Sequence, residues 1–323
     1  RRTLLKIIAG TETDRALTNV RLAATQDADE SLREDAIRDL CEWNDPSALD
    51  SLASFAQNAP NDRLRILALR GWLRLMDAAI DAAPDKRAAA LAQAKAWAVR
   101  DEDRQAVAEA WEKADCAAAE QGLGFTPIFN GKDLSGWEGS DNFWSVRDGV
   151  LTGESTPDHK VSPNHHIIWR GGEPADFDLV ADFRISKSAN SGIQLRSVGK
   201  LLNDDGYQPD MDGTGNYPGC IYHPKQGVVC DRGVKVSFTP DGKKTVTRFA
   251  DSGDLGKRFR IEDWNHYRIR CRADTITVWL NGVLMSQVTD PRREMLPDKG
   301  FITLQLHQGQ PMKVEYKNIL IRQ

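Results

Sequence analysis

The sequence predicts two units of different class: an all-helical segment over residues 1–118, then an antiparallel β-sandwich or jelly roll over 119–323. Three observations predict it. Apolar residues in the first part recur at three- and four-residue spacing, the period of a helix buried on one side. In the second part the alternation is two-residue, and turn dipeptides such as Asp-Gly and Asn-Gly punctuate it. The 323 residues are 40% hydrophobic and 28% charged, enough apolar material for two ordinary cores.

The helical part opens its argument with a repeat. "LREDAIRDLCEW" (32–43) and "LRILALRGWLRL" (64–75) superimpose, Leu32 on Leu64, Arg33 on Arg65, Ala36 on Ala68 and Arg38 on Arg70. The stretch "NDPSALDSLASFAQNAPND" between them reads as a turn, a second helix and another turn. "DEDRQAVAEAWEKAD" (101–115) reads as a degraded later copy. Helix pairs of this kind bury their faces only by stacking, as in a HEAT-like array. Two clear copies do not separate such an array from a small helical bundle. Gly, Thr and Pro in "AAAEQGLGFTP" (117–127) then end the last helix.

The strands follow in order. "FWSVRDGVLTGE" (143–154) is a hairpin about Asp-Gly, and "FDLVADFRIS" (177–186) and "SGIQLRSV" (191–198) are single strands. "VKVSFTPDGKKTVTRF" (234–249) is a hairpin about "PDGK". "HYRIRCRADTITVWLNGVLMSQV" (266–288) gives three strands joined at "AD" and "NG", and "GFITLQLH" (300–307) and "KVEYKNILI" (313–321) close the chain. "GYQPDMDGTGNYPGCIYH" (206–223) has too many Gly, Pro and Asp residues for a helix and reads as too polar for a buried strand. It is expected to be a loop forming the rim and one wall of a site, with Gln208 and Asp210 facing in.

Composition excludes some functions. A net charge of −4 with no basic stripe gives no case for nucleic acid. No apolar run reaches the ~20 residues of a membrane span. The start "RRTLLKIIAG" lacks Met and reads as a fragment or a mature chain whose signal peptide has been removed. None of the five cysteines forms a C-x-x-C pair. Cys220 and Cys230 can close a disulfide in an oxidising compartment, and a set of free buried thiols is the equal alternative.

All six histidines lie in the second half, so any chemistry is expected there. Alternation puts Ile193 and Leu195 on one face and Gln194 and Arg196 on the other. It separates Ile302, Leu304 and Leu306 from Thr303, Gln305 and His307, and Tyr267, Ile269 and Cys271 from Arg268 and Arg270. Amides and guanidinium groups on a concave outer face suit sugar hydroxyls, with Trp264 or Trp279 to stack on a ring. An ordinary solvated face explains the same alternation. His165 and His166 in "SPNHHIIW" point to opposite faces of a strand, so at most one joins a site.

Seven segments together carry a resemblance: "PIFNGKDLSGW" (127–137), "WSVRDGVLTG" (144–153), "NSGIQLRS" (190–197), "GYQPDMD" (206–212), "GCIYH" (219–223), "DWNHYRIRCRADTITVWLNG" (263–282) and "GFITLQLHQGQPMKVEYKNILIR" (300–322). In this order and spacing, over about 124–323, the chain resembles the 3-keto-disaccharide hydrolase domain family, formerly domain of unknown function 1080. The resemblance implies a concanavalin A-like jelly roll, cleavage of glycosides oxidised at C3, and a periplasmic or cell-surface setting in a bacterium.

A C3 ketone acidifies the C2 hydrogen. One base can then remove it, the C1 substituent leaves by elimination, and water adds to the enone. His307 is the first candidate base and Asp210 the second, Asp210 also serving as acid or metal ligand. Arg196 is the expected enolate stabiliser. Asn190, Gln194, Gln208, Tyr222, Trp264 and Gln305 are the expected sugar contacts. The leaving oxygen needs an acid or a metal; no cofactor is singled out, and a divalent metal held by one of the paired histidines with Asp210 or His307 stays open. The competing readings are a non-catalytic carbohydrate-binding module and an interaction protein that docks a partner through its helices.

Overall fold

The computed structural model describes residues 9, 11, 13–78, 83–198 and 206–323, and the chain divides into units 1–121 and 122–323. The first unit contains α1 (Asp14–Gln26), α2 (Glu30–Cys41), α3 (Leu49–Asn58), α4 (Asp62–Ala78), α5 (Pro84–Ala94) and α6 (Asp101–Glu120). Thr13 and Asp29 cap α1 and α2 by accepting from Ala16 N and Ser31 N. The two superimposed segments are α2 and α4. Their shared positions face inward, Ala36 and Leu40 with Ala68 and Trp72, in one core with Leu52 of α3 and Leu91 of α5. Helices pack in sequence as α1 on α2, α3 on α4 and α5 on α6, and α4 also touches both α2 and α6. Arg74 on α4 donates to Cys41 O and Trp43 O, satisfying carbonyls left open at the end of α2.

The second unit is an antiparallel jelly-roll sandwich. Its early strands are β1 (Thr126–Pro127), β2 (Trp137–Glu138), β3 (Trp144–Arg147), β4 (Val150–Ser155), β5 (His165–Trp169) and β6 (Phe177–Ile185). The middle of the unit supplies β7 (Asn190–Ser197), β8 (Gln208–Asp212), β9 (Ile221–His223), β10 (Gly227–Cys230), β11 (Val234–Phe238) and β12 (Lys244–Arg248). After the short helix α7 (Ser252–Gly256) come β13 (Asn265–Arg272), β14 (Thr275–Leu280), β15 (Val283–Thr289), β16 (Phe301–Leu306) and β17 (Met312–Arg322). One sheet runs β12-β11-β15-β14-β13-β6-β17-β4-β3 with β1 on β17, and the other runs β10-β9-β8-β7-β16-β5-β2. Among the described residues every strand pairing is antiparallel except β11 with β15. The turns are where the dipeptides put them. Asp148 and Gly149 both have positive φ (51° and 79°), as do Asn281 and Gly282, which gives the backbone twist a two-residue hairpin needs. Between the sheets lie Trp144, Phe177, Phe183, Ile193, Leu195, Met211, Tyr267, Leu304 and Tyr316.

Three expectations are corrected here, and the open alternative for Cys220 and Cys230 is decided. The segment 206–223 is not only a loop: Gln208–Asp212 is a strand in mid-sheet, and all five of its residues are buried. Its Met211 faces the core while its polar side chains share the other face. The arginines of "HYRIRCR" lie on the other sheet and surround Asp178, with Arg268 and Arg270 over the Trp279 ring. Trp279 is therefore a structural partner and not a sugar platform. Cys220 and Cys230 are separate buried thiols. Cys220 Sγ bonds Asp231 Oδ1 at 3.1 Å, while Cys230 Sγ is turned to the carbonyl of Gln287 at 3.2 Å.

We expect residues 122–323 expressed alone to fold and to melt in one cooperative transition. Aggregation, or a melt without a calorimetric peak, would show that the two units depend on a shared core.

Candidate functional site

A cleft of about 480 Å³ lies on the outer face of the β10–β2 sheet. Alternation builds its floor. With Met211 in the core, Gln208, Asp210 and Asp212 project from β8 to the outer face. Tyr222 is the cross-strand partner of Gln208, Asn190 that of Asp212, and Gly192 that of Asp210. Asn190, Gln208, Asp210, Tyr222, Gln305 and His307 line the cleft together with Asn164, Tyr217, Pro224, Gly227 and Val228.

Gly192 shapes the floor. A Cβ built there would stand 2.4 Å from Cδ of Gln208. The missing side chain lets Gln208 lie across β7 and donate from Nε2 to Asp210 Oδ1 (3.0 Å) and to Gln305 Oε1 (3.3 Å). Its own Oε1 is buried with no protein partner, an acceptor presented by the cleft floor. Asn190 also hydrogen-bonds the Asp210 carboxyl.

Asp210 is 5% exposed. Burial, reinforced by the neighbouring Asp212 carboxylate, pushes its pKa up to about 7 against the bonds from Gln208 and Asn190. It can thus take or give a proton near neutrality, as a general base or acid must. Its backbone is held as firmly as its side chain. The carbonyl accepts from the buried Tyr267 hydroxyl, which itself accepts from Gly219 N at 2.6 Å. Asp212 is consumed by the following turn, accepting from Thr214 N and Asn216 N.

His307 sits just past β16, with Nδ1 2.6 Å from Gln308 O. That carbonyl fixes a hydrogen on Nδ1 and leaves Nε2 as the acceptor of the neutral ring. Three expected site residues lie elsewhere. Arg196 has φ of 49° at a register shift between β7 and β16, and the kink turns its side chain away from the cleft. It is buried, bonding the carbonyls of Ala175, Ala273 and Pro297 and the carboxylate of Asp176. Gln194 is on the right face but buried beside Thr303, outside the cleft lining. Trp264 lies at the head of β13 in the opposite sheet, under Arg184 and Lys317.

His166 is the histidine of the adjacent pair that shares the face of Gln305, its cross-strand partner, and it bonds Thr303 Oγ1 at 3.1 Å. His223 is a core residue, accepting from Lys225 N and donating to Met295 O. Among the described residues no three His, Cys, Asp or Glu side chains converge in a way that could hold a metal ion. Tyr217, Val228 and the Gly192 notch were missed by sequence reasoning. Tyr217 had one signal, an aromatic residue inside the glycine-rich turn "TGNYPG".

The Gln208 bond depresses the Asp210 pKa, so removing it acts upward. Gly192→Ala, by displacing Gln208, and Gln208→Ala, by deleting it, are each expected to move the Asp210 pKa above about 7. Carboxyl ¹³C shifts followed through a pH titration measure this. An unchanged midpoint in both variants would show that Gln208 does not tune the group.

Residues 124–322 match the family model described as 3-keto-alpha-glucoside-1,2-lyase-like domain. No curated protein matches the chain. Among solved structures, it is similar to a Parabacteroides distasonis protein named as a candidate glycosyl hydrolase, at 23% identity and TM-score 0.42 over 61% of this chain and 98% of that one. It is also similar to the carbohydrate-binding module CBM66 of Bacillus subtilis, at 13% identity and TM-score 0.38 over 58% and 96%. Bacillus licheniformis β-glucanase matches at 10% identity and TM-score 0.37 over 62% and 98%.

Proposed function

Because this chain belongs, over residues 124–322, to the 3-keto-alpha-glucoside-1,2-lyase-like domain family, we propose that the Asp210 cleft cleaves 3-keto-glycosides by elimination across C1 and C2. One observation carries the reading. A nearly buried carboxyl titrating near neutrality stands among uncharged amides in an open cleft, where a C–H acid needs a base rather than a charge clamp.

Asp210 takes the C2 proton, and the electron pair moves into the ketone as an enolate. The amide N–H groups of Gln305 and Asn190 hydrogen-bond the charge developing on the C3 oxygen. The enolate then collapses, the C1–O bond breaks, and the departing alkoxide takes a proton from the Tyr222 hydroxyl, which solvent restores. Water adds to C1 of the enone while Asp210, its proton first exchanged with solvent, reprotonates C2, so the net change is hydrolysis. Gln208 Oε1 and His307 Nε2 accept substrate hydroxyls and orient the ring. This reading sets the protein where oxidised glycosides are met, in the periplasm or at the cell surface.

The test is to supply a 3-keto-glycoside and follow both the near-ultraviolet absorbance of the enone and the released alcohol. Turnover is expected to rise with pH through about 7, as Asp210 ionises, and in D₂O the product should carry deuterium at C2. His307→Ala should raise KM more than it lowers kcat, about tenfold for one lost hydrogen bond to substrate. Tight glycan binding with neither enone nor alcohol at any pH would replace the enzyme by a carbohydrate-binding module.

A further inference from the structure

We infer that the same cleft holds a second, apolar subsite for the leaving group, and that this group is an alcohol bearing an aromatic ring, not a second sugar. The inference rests on the elimination reading of Asp210. Sheet order lays the cleft out in a line: Val228 on β10, Tyr222 on β9, Gln208 and Asp210 on β8, Asn190 on β7 and Gln305 on β16. Asn164 precedes β5 at the far end. With neighbouring strands about 4.8 Å apart, the floor extends roughly 10 Å from Asp210 toward β10 and roughly 14 Å toward β5. Each side takes a six-membered ring.

The two sides differ in chemistry. Toward β5 the lining is Asn190, Gln305, His307 and Asn164, all hydrogen-bonding groups. Toward β10 it is Tyr222, Pro224, Gly227 and Val228, with Tyr217 arriving from the turn between β8 and β9. Tyr217 and Val228 remain 44% and 42% exposed, so this wall offers apolar surface that the other described residues of the sandwich leave open.

A substrate with C2 over Asp210 extends its ring to one side and its C1 substituent to the other. The oxidised ring carries the hydroxyls and the developing oxyanion, and only the β5 side can satisfy them. The C1 substituent therefore lies toward β10. A second sugar there would find only the Tyr217 and Tyr222 phenols as side-chain partners, and would turn its remaining hydroxyls onto Val228, Pro224 and Gly227, which offer none. An aromatic ring instead covers Val228 and meets Tyr217 and Tyr222 as ring against ring.

The probes are the 3-keto-glucosides of methanol and of 2-phenylethanol, alkyl alcohols of similar acidity, so that leaving-group acidity does not decide their order, and of glucose, a more acidic leaving group whose place in the order is read from the binding affinities. The parent protein should favour the phenylethyl compound over the methyl one at least tenfold in kcat/KM. In Tyr217→Ser/Val228→Ser the phenylethyl-to-methyl ratio should fall close to one. Calorimetric affinities on Asp210→Asn should show the same tenfold order without turnover, with the disaccharide below the phenylethyl compound. A ratio near one in the parent, or a preferred disaccharide, overturns the subsite while leaving the elimination intact. The tenfold binding order without turnover of any probe keeps the subsite and overturns the elimination.

Discussion

Asp210→Asn is expected to lower turnover of a 3-keto-glycoside by about 10²–10⁴, the usual cost of losing a general base, while making the protein more stable at alkaline pH. The second half separates a catalytic carboxyl from a structural one. Burial holds the Asp210 pKa at about 7 against an ordinary 3.8, so the native state keeps a proton that the unfolded chain has released. Stability from this group is therefore lost as pH rises from about 4 to 7, and the penalty is complete above 7. It is on the order of 4 kcal/mol once the carboxylate is fully ionised. Asparagine is never charged and escapes it. Urea unfolding at pH 5 and pH 8.5 should show the variant gaining on the parent mainly at the higher pH. A variant less stable than the parent at pH 8.5 would mean that the carboxylate is stabilised by its surroundings, and the base assignment would fall.

The second large effect lies on the opposite sheet. Asp178→Asn is expected to destabilise the protein by about 3–5 kcal/mol, the cost of removing one side of a buried ion pair. Asp178 on β6 is 1% exposed and lies between β13 and β17, its cross-strand partners being Arg270 and Arg322. Arg270 Nε reaches it at 2.8 Å, Arg322 Nη2 at 2.9 Å and Arg272 Nη2 at 3.1 Å, with Arg268 at 3.8 Å. Burial alone would raise its pKa, but the guanidinium groups of Arg270, Arg322 and Arg268 outweigh that and hold it below the usual value. The contribution is present above the unfolded carboxyl pKa and is lost as pH falls through the folded one. Thermal unfolding at pH 7 measures the substitution. A change under 1 kcal/mol would show that the arginines balance one another without the carboxylate.

These two aspartates show what the sequence could and could not tell. Alternation assigns parity, so the inward positions of Ile193, Leu304 and Tyr267 were legible, and the Asp-Gly and Asn-Gly turns fixed the hairpins. Parity says nothing about which sheet a strand joins. Gln305 and Arg270 looked equivalent on their strands, yet one lines the cleft and the other clamps Asp178. A register shift resets parity without leaving a mark on the pattern, which is how Arg196 came to be expected on the cleft floor. The strand Gln208–Asp212 was read as loop because polarity usually signals solvent. Here polar side chains are buried on each other, as Gln208 is on Asp210 and Gln305. Asp210 was singled out by its residue type within the 206–223 stretch, but its elevated pKa needed the depth of burial that only the fold supplies.

Tyr267 gives this arrangement a mechanical consequence. It belongs to β13, in the sheet across the core, yet its hydroxyl grips the backbone of Asp210. Asp210 is thus tied through the full thickness of the sandwich. Sliding one sheet against the other would therefore be felt at Asp210. On the proposed reading, heating is expected to abolish turnover of a 3-keto-glycoside in the same transition that unfolds the sandwich.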